Sequence, residues 1–461
     1  MDDVKGTRIA SISGLRGWVG DGIDPVTAVE FAAAYASQCG PGAIVVSHDG
    51  RVSSSVFEAA VTAGVTGMGR DVLSVGATAT PTVGVLVREH GAAGGVQISA
   101  SHNPPEYNGL KFFQPGGMVL SPAAGRSVLK RWQDKEFGWA AYDGLGKIRR
   151  LEDPDETHLR RVLAVVDVEA IRARRFVVAL DACHGAGGRM GRELLWRLGC
   201  RPIVLGGEPD GRYDHPPEPT ETNLAAFAKI VPAVGAAVGF AQDPDADRLA
   251  IVDEQGRYIG EELTLALAAV RRLGQERGPV VLNLSTSRAT EDLAIRHGCP
   301  VIRTAVGEIN VVEAMLTKKA VLGGEGNGGV IDPRVGLVRD SFVGMALVLD
   351  LLATADRPLS SWVDELPRYA MVKDQYPLKA GGGGPAEAAA LWDRIAEAHN
   401  EADADRRDGL RLAWDDRWVH VRASNTEPIV RVIAEAKTHD EARRLSGQVG
   451  RWVSGTEDIR P

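Results

Sequence analysis

The stretch AAVGFAQDPDADR, residues 236–248, decides how the chain is read. A run of small apolar residues ends abruptly in a polar loop. Pro244 lacks an amide donor, so the run cannot pass through Asp243–Asp247 as a helix. It reads as a buried strand that delivers a loop. RFVVALDACHGAGG (175–188) has the same grammar earlier in that segment. Two more pairs repeat it: AIVVSHDGR (43–51) with GGVQISASHNP (94–104), and GPVVLNLSTSR (278–288) with KAVLGGEGNGG (319–329). Short apolar runs bounded by turn residues, alternating with Ala/Leu/Glu/Arg-rich helical stretches, argue for α/β layers.

The C-terminal part differs. AGGGGP (380–385) reads as a flexible loop and AAALWDRIAEAHNEA (388–402) has helical spacing. LRLAWDDRWVHVRAS (410–424) reads as two short strands around an Asp-Asp turn. THDEARRLSGQVGRWV (438–453) opens with Thr or Asp as an N-cap and continues as a helix. The expected fold class is α/β, with three similar α/β domains followed by a smaller α+β domain. The expected bounds are 1–152, 153–262, 263–367 and 368–461.

A chain of 461 residues exceeds one core, which agrees with several domains. A net charge of −8 favours solubility and carries no nucleic-acid footprint, so no nucleic-acid partner is expected. Four scattered cysteines without a CxxC pair support neither a disulfide scaffold nor a thiolate zinc site. No segment approaches the roughly 18 consecutive apolar residues of a membrane span. The opening MDDVKGTRIASISG is acidic where a secretory signal is basic, so a cytoplasmic location is expected.

Asp243, Asp245 and Asp247 alternate on one tight loop. Three hard oxygen donors suit Mg²⁺ and leave room for a phosphate oxygen. The plain alternative is a solvated acidic turn, but an apolar strand delivers the cluster and LAIVD follows it at once. An EF-hand is excluded, because its sixth position needs glycine and here holds Arg248. Arg248 balances charge or grips phosphate.

In ISASHNPPEYNGLKFF (98–113), Pro104 and Pro105 rule out a helix and a central strand. Ser101 is then a candidate nucleophile or phosphate carrier with His102 assisting, against the alternative of ordinary loop residues. No G-x-S-x-G elbow surrounds Ser101. Lys111 is a candidate acid/base or an exposed strand lysine. In GGEGNGG (323–329) Glu325 and Asn327 are the side chains able to hydrogen-bond sugar hydroxyls, against a surface turn. RASNTEPIVR (422–431) offers Arg422, Ser424, Asn425, Thr426 and Arg431, which fit a phosphate dianion, against an N-cap turn with unrelated arginines. GAGGRMG (185–191) imitates a dinucleotide fingerprint, but Met190 stands where the third glycine belongs.

Together and in this order, these loops resemble the α-D-phosphohexomutase superfamily over nearly the whole chain. ASHNP resembles its phosphoserine loop, which implies a phosphoryl group carried on Ser101. NGLK resembles the segment bearing the acid/base lysine, here Lys111. DPDADR resembles the metal loop, with Pro244 where glycine is usual; the implied ligands are Asp243, Asp245, Asp247 and the group on Ser101. GEGNGG stands where many members have Gly-Glu-x-Ser. RASNTEP resembles the phosphate-binding loop, and SGLRG (13–17) the loop whose arginine, here Arg16, approaches the phosphoserine. TAVGE (304–308), with Thr304 and Gly307, resembles the Thr-x-Val-Gly loop near the sugar.

The resemblance implies one central cleft, Mg²⁺, a small phosphosugar substrate and a sugar 1,6-bisphosphate as activator. The implied reaction interconverts hexose 6-phosphate and hexose 1-phosphate through phospho-Ser101. Asn327 resembles the archaeal-type phosphoglucosamine mutase version of its loop, which implies glucosamine 6-phosphate to glucosamine 1-phosphate. The alternatives are a phosphomannomutase/phosphoglucomutase, a Mg²⁺-dependent phosphatase and a non-catalytic phosphosugar-binding protein.

Overall fold

The structure, a computed structural model, describes residues 8–377, 385–423 and 429–454. Most of the AGGGGP loop and residues 424–428 lie outside the described residues.

The described strands form four sheets. The first holds β1 (Arg8–Ser11), β2 (Gly14–Trp18), β3 (Ile44–His48), β4 (Val72–Ala77), β5 (Gly94–Ile98), β6 (Tyr107–Phe113) and β7 (Ile148–Arg150), in the order β1-β2-β6-β5-β3-β4-β7. The second holds β8 (Val177–Asp181), β9 (Arg201–Leu205), β10 (Val238–Gln242), β11 (Leu249–Asp253) and β12 (Tyr258–Gly260), in the order β12-β11-β10-β8-β9. The third holds β13 (Val280–Asn283), β14 (Val301–Thr304), β15 (Leu322–Glu325) and β16 (Gly329–Ile331), in the order β14-β13-β15-β16.

One topology recurs in all three. A first strand pairs in parallel with a second and a third, and a fourth turns back antiparallel on the third. The sets are β3, β4, β5, β6, then β8, β9, β10, β11, then β13, β14, β15, β16. The three pairs of segments quoted from the sequence fall on the first and third strand of each set. Parallel strands covered on both faces read as continuous apolar runs rather than alternating ones, which is why those segments stand out.

Each hairpin between third and fourth strands ends in a polar loop. The three loops hold Ser101, Asp243–Asp247 and Asn327 respectively. A topology repeated three times therefore brings three different chemical loops to equivalent strand ends.

The helix Ser341–Ala353 is buried along all but its last residue and packs on helices Glu262–Gln275 and Val168–Arg174. A helix apolar on nearly every face belongs inside a core, and here it joins the second and third units into one apolar cluster, with its buried Asp350 paired to Arg271. The C-terminal sheet is antiparallel throughout. It holds β17 (Ala370–Pro377), β18 (Asp403–Asp405), β19 (Leu410–Ala413), β20 (Trp418–Ala423) and β21 (Ile429–Ala436), in the order β17-β21-β20-β19-β18. Helix His439–Ser454 covers it. It starts in a capping box, with Glu441 N donating to Thr438 Oγ1 and Thr438 N donating to Glu441 Oε2. Among the described residues no helix is long and apolar enough to cross a membrane.

Candidate active site

Ser101 is buried, with φ 52°, in the left-handed region that non-glycine residues rarely adopt. Its surroundings hold it there. Ser101 N donates to Ser99 Oγ (2.8 Å), and Ser99 Oγ donates to Asp49 Oδ2 (2.7 Å). Arg51, buried beside Asp49 (2.9 Å), donates to the carbonyls of Ser101 (2.5 Å), Asn103 (2.8 Å), Pro104 (2.6 Å) and Tyr107 (3.1 Å). One guanidinium from the loop after β3 thus fixes the whole Ser-His-Asn-Pro turn. The ring of Tyr213, from the second unit, lies over that guanidinium at 5.4 Å.

Ser101 Oγ donates to Asp243 Oδ2 at 2.7 Å, across the boundary between the first two units. In the Asp loop, Ala246 takes φ 56° and its amide donates to Asp243 O, which curls the loop. The Asp243, Asp245 and Asp247 carboxylates are fully buried, with oxygens within 4.8 Å of one another. The loop rests on GAGGRMG. A Cβ at Gly185 would lie 2.3 Å from Pro244 O, and Ala186 N donates to that oxygen (2.8 Å). Those glycines admit a protein backbone where a dinucleotide fingerprint would admit a pyrophosphate.

Lys111 Nζ donates to Asp245 Oδ2 (3.0 Å) and Asp247 Oδ2 (2.9 Å). Thr80 Oγ1 also donates to Asp245 Oδ2 (2.6 Å), and Arg339 to Asp247 Oδ2 (2.7 Å). Burial disfavours the Lys111 ammonium, but Asp245 and Asp247 outweigh it and shift its pKa upward. Burial would likewise raise Asp245, yet Lys111 and its hydrogen bonds hold it below the usual carboxylate range. Asp243 has no such cation in contact. Burial, then repulsion from Asp245 and Asp247, pushes its carboxyl well up.

Asp245 Oδ1 and Asp247 Oδ1 are buried without hydrogen-bond partners. Two orphaned carboxylate oxygens beside a third, strained carboxyl are a donor set that fits a hard divalent cation. Among the described residues no other group of three His, Cys, Asp or Glu side chains converges in this way.

His102 Nδ1 stands 3.3 Å from Ser101 Oγ. Burial, then the charges of Arg248 and Arg16, push its pKa down to about 2, so it is neutral. Arg248 N donates to Asp243 Oδ1 (3.1 Å), while its buried Nε has no hydrogen-bond partner. Arg16, on β2 opposite Gly109 of β6, is half-buried and lies among the charges of Asp245, Arg248, Arg51 and Asp247. Every residue predicted for the serine and metal loops therefore meets in one place.

The sugar-loop candidates attach through Arg339. Its Nε donates to Glu308 Oε2 (2.8 Å), and its NH1 lies 3.2 Å from Glu325 Oε2. Glu325 Oε1 accepts from Asn283 Nδ2 (2.8 Å) and Gly307 N (3.3 Å), so protein donors already engage both its oxygens. Thr304 Oγ1 donates to Ala305 O (3.0 Å), which turns its proton into its own loop. Among the described residues of these two loops, the buried acceptors without a hydrogen-bond partner are Asn327 Oδ1 and Glu308 Oε1. Gly328, at φ 78°, lays this loop on the start of β11, next to the Asp loop, since a Cβ there would lie 2.2 Å from Leu249 O.

Of the phosphate candidates, Ser424, Asn425 and Thr426 lie outside the described residues. Arg422 and Arg431 stand directly opposite across β20 and β21, so both project from one face. Like charges in that position repel unless an anion joins them. Polar contacts link Arg422 to the serine: Arg422–Asp408–Val306 N, Gly307 N–Glu325–Arg339, Arg339–Asp247–Lys111–Asp245, and Asp243–Ser101 in the adjoining turn.

Arg51, Thr80, Glu308, Arg339 and Asp408 were not among the residues expected from the sequence. The one signal available for Arg51 was its place in SHDGR, a strand-end loop equivalent to those already singled out.

Models of four successive domains match the chain. They are the "Phosphoglucomutase/phosphomannomutase, alpha/beta/alpha" domains I (residues 8–138), II (156–256) and III (260–369), and the C-terminal domain (382–451). A "Phosphoglucomutase/phosphomannomutase" of Thermococcus kodakarensis is 37% identical over 439 residues, covering 93% of this chain and 95% of that protein. A "Probable phosphoglucosamine mutase" of Methanopyrus kandleri is 36% identical over 440 residues, covering 94% and 95%. The crystal structure of a phosphoglucomutase/phosphomannomutase family protein from Burkholderia thailandensis shares the fold, with a TM-score of 0.83 at 24% identity over 98% of both chains. With all four domains matched in order, the chain belongs to the phosphoglucomutase/phosphomannomutase family of the α-D-phosphohexomutases, enzymes that transfer a phosphoryl group within a sugar phosphate.

Proposed function

We propose that the chain interconverts hexose 6-phosphate and hexose 1-phosphate through phospho-Ser101 and a 1,6-bisphosphate, with glucosamine 6-phosphate and glucosamine 1-phosphate as its preferred pair. The observation that carries this reading is the 2.7 Å contact of Ser101 with Asp243, next to the paired Lys111 and the free oxygens of Asp245 and Asp247. In one half-reaction the P–Oγ bond of phospho-Ser101 breaks as a sugar oxygen attacks, and the hydroxyl proton passes to Lys111 Nζ in its minor, neutral amine form. In the other, Ser101 Oγ takes the phosphoryl group back and the Lys111 ammonium returns a proton to the departing sugar oxygen.

Asp243, Asp245 and Asp247, with the phosphate on Ser101, would hold Mg²⁺. When bound, it supplies positive charge to the migrating phosphoryl oxygens. Arg16 and Arg248 add charge beside the serine, and neutral His102 orients the hydroxyl. Asn327 and Glu325, with Thr304 and Gly307 in the neighbouring loop, face the sugar. Arg422, Ser424, Asn425, Thr426 and Arg431 grip the phosphate that is not reacting, in either orientation of the bisphosphate. In this reading residues 1–152 form the phosphoserine domain, 153–262 the metal domain, 263–367 the sugar domain and 368–461 the phosphate-gripping domain.

The two free acceptors Asn327 Oδ1 and Glu308 Oε1 support an amino sugar, which brings more donors than a plain hexose. The second reading, a phosphomannomutase/phosphoglucomutase, is supported by the name of the Thermococcus relative. Turnover of glucosamine 6-phosphate, mannose 1-phosphate and glucose 1-phosphate, with Mg²⁺ and catalytic bisphosphate, separates the two. Slower turnover of glucosamine 6-phosphate than of the others removes the preferred pair. Ser101→Ala with undiminished turnover removes the phosphoserine.

A further inference from the structure

Asp408, in the turn before β19, faces two domains at once. Its Oδ2 accepts from Val306 N (3.0 Å), in the loop that also hands Gly307 N to Glu325. Its backbone oxygen accepts from His420 Nε2 (2.6 Å). His420 is fully buried, and its Nδ1 meets Ser285 Oγ, in the loop after β13, at 2.9 Å. Asp408 is therefore pinned from both sides.

Among the described residues, Arg422 is held less firmly. Its Nε lies 3.4 Å from Asp408 Oδ1, an ion pair without a hydrogen bond, and that buried nitrogen has no other hydrogen-bond partner. The half-buried pair shares its surroundings with Arg431, directly across the ladder. One distant carboxylate is a weak anchor for a guanidinium, whereas a phosphate dianion offers several close acceptors.

We infer that Asp408 is a positioning residue for the phosphate grip. It holds Arg422 beside the sugar loop until a phosphate displaces it, and it keeps Val306 in place when Arg422 leaves. The two loops that receive opposite ends of the substrate thus share one carboxylate. This rests on the assignment of Arg422 to the phosphate.

The test measures inorganic phosphate binding to the full chain by titration calorimetry. Asp408→Asn keeps an oxygen for Val306 N and removes the competing charge. Phosphate is expected to bind it about two- to fivefold more tightly, the worth of a partly exposed ion pair. That gain disappears in Asp408→Asn combined with Arg422→Gln. Asp408→Ala also loses the acceptor for Val306 N, so its KM for the hexose phosphate rises above that of Asp408→Asn. Phosphate binding to Asp408→Asn that is unchanged or weaker overturns the inference, as does an equal KM in the two variants. If Arg422→Gln alone leaves phosphate binding intact, the assignment of Arg422 itself fails, a result separable from the first.

Discussion

Replacing Arg51 with methionine tests how the reactive serine is held. The guanidinium is buried, pairs with a buried Asp49 and donates to four carbonyls of the 101–107 turn. Methionine fills the volume but leaves the Asp49 charge without its partner. Breaking a buried pair from one side costs about 3–5 kcal/mol. Lysine is no substitute, because one ammonium cannot span carbonyls spread along the turn. Urea denaturation should show that loss in Arg51→Met. Asp49→Asn in the same chain should restore much of it by removing the stranded charge. Turnover should stay low in both, since a shift of the serine by about 1 Å costs on the order of a hundredfold in rate. If the double variant is no more stable than Arg51→Met, or either regains full turnover, the reasoning is refuted.

Three further outcomes follow from the same geometry. Saturating Mg²⁺ should raise the thermal midpoint, by about 2.7 kcal/mol of stability at a hundredfold excess over Kd. Asp243→Asn should abolish that rise while stabilising the metal-free protein, because it removes the carboxyl its neighbours push up; a full Mg²⁺ response in this variant counts against the assigned ligands. Gly185→Ala drives a methyl against the backbone of Pro244, so differential scanning calorimetry should show a loss of about 1–3 kcal/mol and a smaller Mg²⁺ response. Burial raises Glu262 from an ordinary 4.5 to about 7, against Lys373 and the Ser287 amide. The unfolded chain therefore ionises this group first, and stability falls as pH rises between those values. Glu262→Gln should flatten that slope and be more stable at pH 8 by about 3 kcal/mol, with parallel pH profiles as the contrary result.

The three-unit pattern was legible because each unit announces itself locally, as an apolar strand that stops at a polar loop. Ser101 and the aspartates were legible for the same reason, whereas Lys111, inside β6, stood out only through the resemblance of NGLK. What was hidden lies in contacts with no local period. Arg339 meets Asp247 across 92 positions, and Thr80 meets Asp245 across 165. Each is an ordinary arginine or threonine until the sheets are assembled. The glycines at 185–191 misled in the opposite sense. Close approach of a backbone and close approach of a pyrophosphate ask for the same residue type, so letters alone do not separate them. Thr304 shows a further limit, since the direction of a hydroxyl depends on the turn that follows it.

The triplicated hairpin has a consequence for how such a molecule changes over time. Each copy contributes a different loop, so the proposed chemistry needs all three copies assembled. The third copy reaches the acidic loop through the buried Arg339, and in the proposed reading it also carries the sugar contacts. New sugar preferences are therefore accessible by editing that copy, while the nucleophile and its acidic neighbours stay unaltered.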